Sequence, residues 1–126
     1  MNARVRVFAL AALVLGAAAC EESGPGTLTA TIRAPVPTGA AVVELVGAEI
    51  DGFEPSGDVR VIAADPQPTD SLRRVVVMSP TGRSLQFRIR VADVSAPAPR
   101  GAVVNAVDPA NRKITSLTGF QVRISR

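Results

Sequence analysis

The chain of 126 residues has no histidine, no tryptophan and no tyrosine, four phenylalanines, a single lysine and a single cysteine. Each shortage closes a class of chemistry. Without histidine there is no Ser-His-Asp triad and no Cys-His dyad, and most zinc sites lose their commonest ligand. Lys113 stands in a turn beside Arg112, a poor place for the buried, deprotonated lysine that a Ser-Lys nucleophile requires. One cysteine cannot form an internal disulfide, so burial alone must stabilise any fold. Two aromatic residue types are missing altogether, which leaves little with which to stack a sugar or a base. Apolar runs are short as well. The longest, Val7–Ala19, has thirteen residues, and a membrane-spanning helix needs roughly 20.

Charge carries a similar exclusion. The sequence pI of 10.4 suggests a nucleic-acid partner, but residues 21–126 hold twelve cationic side chains against eleven carboxylates. The pI is high because arginine keeps its charge to very high pH. Near-neutral charge gives no electrostatic footprint for nucleic acid. The signs are segregated along the chain. Residues 21–70 carry nine acids against Arg33 and Arg60, and residues 71–126 carry ten bases against Asp93 and Asp108. Such a split allows weak attraction between two halves of one domain, or a bipolar surface that steers a charged partner.

The amino terminus is organised. Arg4 and Arg6 precede the apolar stretch, and Ala17, Ala18 and Ala19 precede Cys20. Charge, apolar stretch and small residues in that order read as an export signal over residues 1–19. The stretch "LGAAAC" resembles the lipobox of bacterial lipoproteins, with Ala17 where that family prefers leucine. The resemblance implies cleavage between Ala19 and Cys20, lipid on the Cys20 thiol, and a membrane partner reached through that lipid. It also implies the bacterial envelope, on the outer-membrane side, because Glu21 is not the aspartate that retains some lipoproteins at the inner membrane. Ala17 and Ala19 satisfy the rule for ordinary cleavage too, which would release a soluble chain with a free Cys20. Two or three acyl chains on one residue would hold a protein firmly where one would not. Residues 20–26, ending "EESGPG", then form a polar tether.

Residues 27–126 are one domain's length. "GTLTATIRA", "RSLQFRIRVADV" and "GFQVRISR" alternate apolar and polar residues, the pattern of strands with one wet face. Phe87 and Phe120 fall on the inward side. Ala40–Val46, Asp58–Ala63, Arg73–Met78 and Gly101–Val107 are also strand-like, and "VVVM" (Val75–Met78), apolar on both sides, reads as a well-covered strand. Proline- and glycine-rich stretches such as "APVPTG", "SPTG" and "DPANRK" separate these runs as turns. The expectation is an all-β, antiparallel β-sandwich of about seven strands. The order "GAAVVELVG", "GRSLQFRIRV", "GAVVNAVDPANRKITSLTGFQVRIS" resembles cohesin-type and related immunoglobulin-like sandwiches, without the tryptophan and cysteine pair that mark antibody domains. The start "GTLT" shortly after the cysteine is similar to that of short envelope lipoproteins.

Glu49, Asp51, Glu54 and Asp58 crowd "EIDGFEPSGD". Carboxylates could hold calcium, but the spacing is not that of an EF-hand, so the stretch reads as a solvated acidic loop. Phe53, in its middle, either folds over the end of the core or anchors a partner. Taken together these residues imply a membrane-anchored, non-enzymatic binding or assembly module that needs no cofactor and meets another envelope protein. The alternative is a soluble exported sandwich with a calcium-dependent or weak carbohydrate-binding role.

Overall fold

The computed structural model describes residues 23–64, 71–82 and 85–126. The proposed signal residues, with Ala19, Cys20, Glu21 and Glu22, lie outside them. Eight strands follow in order: β1 (Gly26–Arg33), β2 (Ala40–Val46), β3 (Ile50–Pro55), β4 (Arg60–Ala63), β5 (Leu72–Met78), β6 (Leu85–Val91), β7 (Arg100–Val107) and β8 (Gln121–Ser125). They form two antiparallel sheets of four, in the orders β3-β6-β1-β8 and β4-β5-β2-β7. The first is called here the arginine sheet and the second the valine sheet. Four of the pairs nest, β1 with β8, β2 with β7, β3 with β6 and β4 with β5.

Period-two side-chain alternation builds the core between the sheets. Leu28, Ala30 and Ile32 of β1 and Leu85, Phe87, Ile89 and Val91 of β6 are buried from one side. Ala41, Val43 and Leu45 of β2 and Val75 and Val77 of β5 are buried from the other. All belong to one cluster. Each of the larger of these side chains contributes about 1.5–3 kcal/mol when removed from water. The sheets approach closely where Gly101 of β7 passes β8. A Cβ there would lie 2.8 Å from Cγ1 of Val122 and 3.0 Å from Cδ2 of Leu45, so only glycine fits without displacement.

Several expectations change. The described residues form eight strands rather than seven, because part of the acidic stretch is itself a strand, β3. Its register on β6 shifts between Ile50 and Gly52. This bulge at Asp51 lets Ile50 and Phe53, three residues apart, both face the core. The first strand starts at Gly26, inside the expected tether. Phe120 precedes β8 and is half-buried against the core instead of inside it. Among the described residues no layer covers Val76 and Met78. β5 is shielded by its neighbours β4 and β2 within the sheet, and the outward side chains stay half-exposed.

Candidate functional site

The chain enters the domain through a clamp. Asp93, just past β6, accepts hydrogen bonds at Oδ1 from the Gly24 amide (3.0 Å), the Ser95 amide (2.9 Å) and the Ser95 hydroxyl (2.7 Å). The Gly24 carbonyl in turn accepts from the Val94 amide at 2.9 Å. Both polar groups of the Gly24 backbone are thus spent on residues 93–94. A Cβ at Gly26 would run into Val94. The Ser95 hydroxyl, then the Ser95 and Gly24 amides, hold the Asp93 carboxyl below its ordinary range, with Arg126 adding a little. Residues 24–26 are therefore part of the folded body, and the expected seven-residue tether loses its last three.

The four acids of the expected loop do not converge. Asp51 is exposed at the bulge, and Glu49 is exposed one residue before β3. Both border an open depression with Ser71 and Arg73. Glu54 turns to the other side and pairs with Arg90 of β6, Nε to Oε1 at 3.5 Å. Asp58 accepts a hydrogen bond from the Thr81 hydroxyl at 3.2 Å. Strand geometry separates them: successive side chains along β3 point to opposite faces. Among the described residues no three His, Cys, Asp or Glu side chains are grouped to hold a metal ion. Arg73 faces inward at the margin of the valine sheet and donates from Nη2 to the Ile50 carbonyl, tying the two sheets. Phe53 packs on the core. Its ring centre lies 6.1 Å from that of Phe87, with the planes tilted by 57°, within the range of a favourable aromatic pair.

The outer faces of the two sheets differ. On the arginine sheet Thr29 and Thr31 lie between Gln86 and Arg88 of β6 and Arg123 and Ser125 of β8, with Arg33 and Arg90 beyond them. On the valine sheet the outward residues fall in rows across the strands. Arg60, Met78, Ala40 and Val107 form one row, and Ile62, Val76, Val42 and Asn105 the next. Arg74, Glu44 and Ala102 make a third row, and Leu72, Val46 and Arg100 a fourth. A register shift opposite Val42–Val43 adds Val104 to the outer side. Of five exposed large hydrophobic residues among those described, four are on this sheet: Ile62 (58%), Val46 (43%), Val104 (42%) and Leu72 (40%). A shallow groove runs over Ala40, Val42, Val76 and Asn105. Arg74 and Glu44 form an ion pair in the third row. Sequence reading missed both the clamp and this face; "VVVM" was the only local signal of the latter.

No described helix is long and apolar enough to cross a membrane. Comparison with protein families, with curated proteins and with solved structures finds no match.

Proposed function

We propose that the chain is a lipid-anchored module of the bacterial envelope, with Cys20 as the lipid-bearing residue, and that it works by binding or assembly rather than by catalysis. The observation that carries the reading is the clamp, taken with the lipobox-like "LGAAAC". Cys20 stands four residues before Gly24, a reach of at most about 14 Å at 3.3–3.6 Å per residue. An anchor there would hold the folded body against the bilayer by the end that carries Gly24, Asp93 and Arg126. The work of such a module falls to its exposed faces. The valine sheet offers more apolar surface than scattered exposed residues would.

For the finer type of fold we propose an immunoglobulin-like, cohesin-like sandwich. The five central strands support it: β4-β5-β2 follows the D-E-B order of an immunoglobulin domain and β3-β6 its C-F pair. The outer strands depart from it, since β7, which follows β6 in the chain, takes the place of strand A, and β1, which precedes β2, takes that of strand G.

The experiment is fractionation of cells expressing wild type and Cys20→Ser. Wild type is expected in the membrane fraction, and Cys20→Ser as an uncleaved precursor. Wild type recovered wholly soluble after export, with an unmodified Cys20, would overturn the anchor.

A further inference from the structure

The outward rows of the valine sheet have a symmetry of their own. Its two central strands, β5 and β2, pair Met78 with Ala40, Val76 with Val42, Arg74 with Glu44 and Leu72 with Val46. Three of these rows are apolar on both strands. The fourth holds one cation and one anion, and these already form an ion pair. Consider a two-fold axis lying in an interface, parallel to the strands and midway between β5 and β2. It sets β2 of one copy over β5 of the other. Val42 then meets Val76 across the axis, Val46 meets Leu72, and Ala40 meets Met78. Glu44 meets Arg74 twice, once from each copy. At the margins β4 crosses over β7, which brings Ile62 to Val104 and Asn105. Each exposed apolar residue of this sheet thus finds an apolar partner, and no like charges meet in the charged row.

We propose that the valine sheet is a self-association surface, and that its partner is a second copy of this chain stacked face to face about that axis. The proposal rests on the binding-or-assembly reading above and supplies the partner; the lipid anchor does not enter its geometry, and the surface variants keep the same amino terminus, so association through that end would not respond to them. A closed two-fold interface must be self-complementary, with residue i contacting j and j contacting i, and the two central strands of this face meet that requirement row by row. Aligned sheets pack face to face about 10 Å apart through such side chains.

Four strands about 4.8 Å apart and seven residues of about 3.3 Å give a face of roughly 440 Å² per copy in projection. Two copies together contribute about 880 Å² in projection, below the range of stable interfaces and within that of transient ones. An interface of that size is of the weak, transient kind, and its dimer is sought at concentrations on the order of 10 μM.

The test is sedimentation velocity of the purified full chain, wild type and variants, with the amide circular-dichroism spectrum checking that each is folded. Wild type is expected to pass from monomer to dimer around that concentration. E44R alone and R74E alone are each expected to weaken the dimer at least about tenfold, since like charges then face each other across the axis. An equimolar mixture of E44R and R74E is expected to restore dimers as mixed pairs. Internal repair of the Glu44–Arg74 pair cannot produce that result. I62D combined with V104D, both at exposed apolar positions, is expected to remain monomeric and folded. A wild-type chain that stays monomeric to on the order of 100 μM, or an E44R–R74E mixture that gives no mixed dimer, would overturn the proposal. So would folded single variants that dimerise as wild type does, or binding of the face to lipid vesicles by a chain that remains a monomer.

Discussion

The two sheets are built by one rule and end in opposite surfaces. In each, alternate residues enter the shared core, and Phe87 and Val77 are equally inaccessible. The remaining residues of β1, β6 and β8 are threonine, glutamine, serine and arginine. Those of β2, β4 and β5 are mainly valine, isoleucine, leucine, methionine and alanine, interrupted by Arg60 and the Glu44–Arg74 pair. Core packing does not require this difference, because the outward positions do not touch the core. The difference points to what each face meets: water on one side, and another surface on the other.

The comparison breaks first at the core. Phe87→Ala is expected to cost about 3–5 kcal/mol, a large share of the 5–15 kcal/mol of a typical domain, as measured by denaturant unfolding. Phe120→Ala, half-buried at the entry to β8, should cost clearly less. Equal losses would mean that the rim of the core is as tightly packed as its centre. Neighbours on one strand sharpen the contrast. Val77→Ala, inward, should cost about 1–3 kcal/mol. Val76→Ala, outward, should change the unfolding of the monomer by no more than about 0.5 kcal/mol. Arg123→Gln, outward on the arginine sheet, belongs in the same small range. A large loss at Arg123 would show that this face is more than a solvated surface.

How far the sequence disclosed this depends on the distance over which each feature is encoded. β1, β6 and β8 are legible because their polar and apolar residues alternate without interruption. β3 is not, because the bulge at Asp51 spaces Ile50 and Phe53 by three, a spacing no strand template contains. The apolar outer face is invisible in any one segment. Val42 and Val76 become neighbours only through the β2–β5 register, and Ile62 joins them through β4. The clamp joins residues 69 apart, and only the antiparallel pairing of β1 with β6 brings Gly24 to Asp93. The four acids show the reverse: close in sequence and read as one solvated loop, they are set apart because part of that stretch is the extended strand β3.

The smallest expected effect concerns the clamp, which belongs to the end of the molecule and to neither face. The folded-state pKa of Asp93 is lowered. Its contribution is therefore present above the unfolded value of about 4 and is lost as pH falls through the lowered folded value. Amide-exchange protection at Gly24 should disappear on acidification below pH 4 while the protection of Phe87 persists. Asp93→Asn should remove that pH dependence and weaken protection at Gly24 at neutral pH. Protection at Gly24 that is indifferent to both changes would show that the clamp does not hold the entry of the chain.

The functional account stands on Cys20, and the intact mass of the chain recovered from cell envelopes tests it most directly. The account predicts a chain that begins at Cys20 and carries the added mass of a diacylglyceryl group, with or without a further acyl chain on the new amine. A chain of unmodified mass beginning at Cys20, released into the soluble fraction, would contradict it.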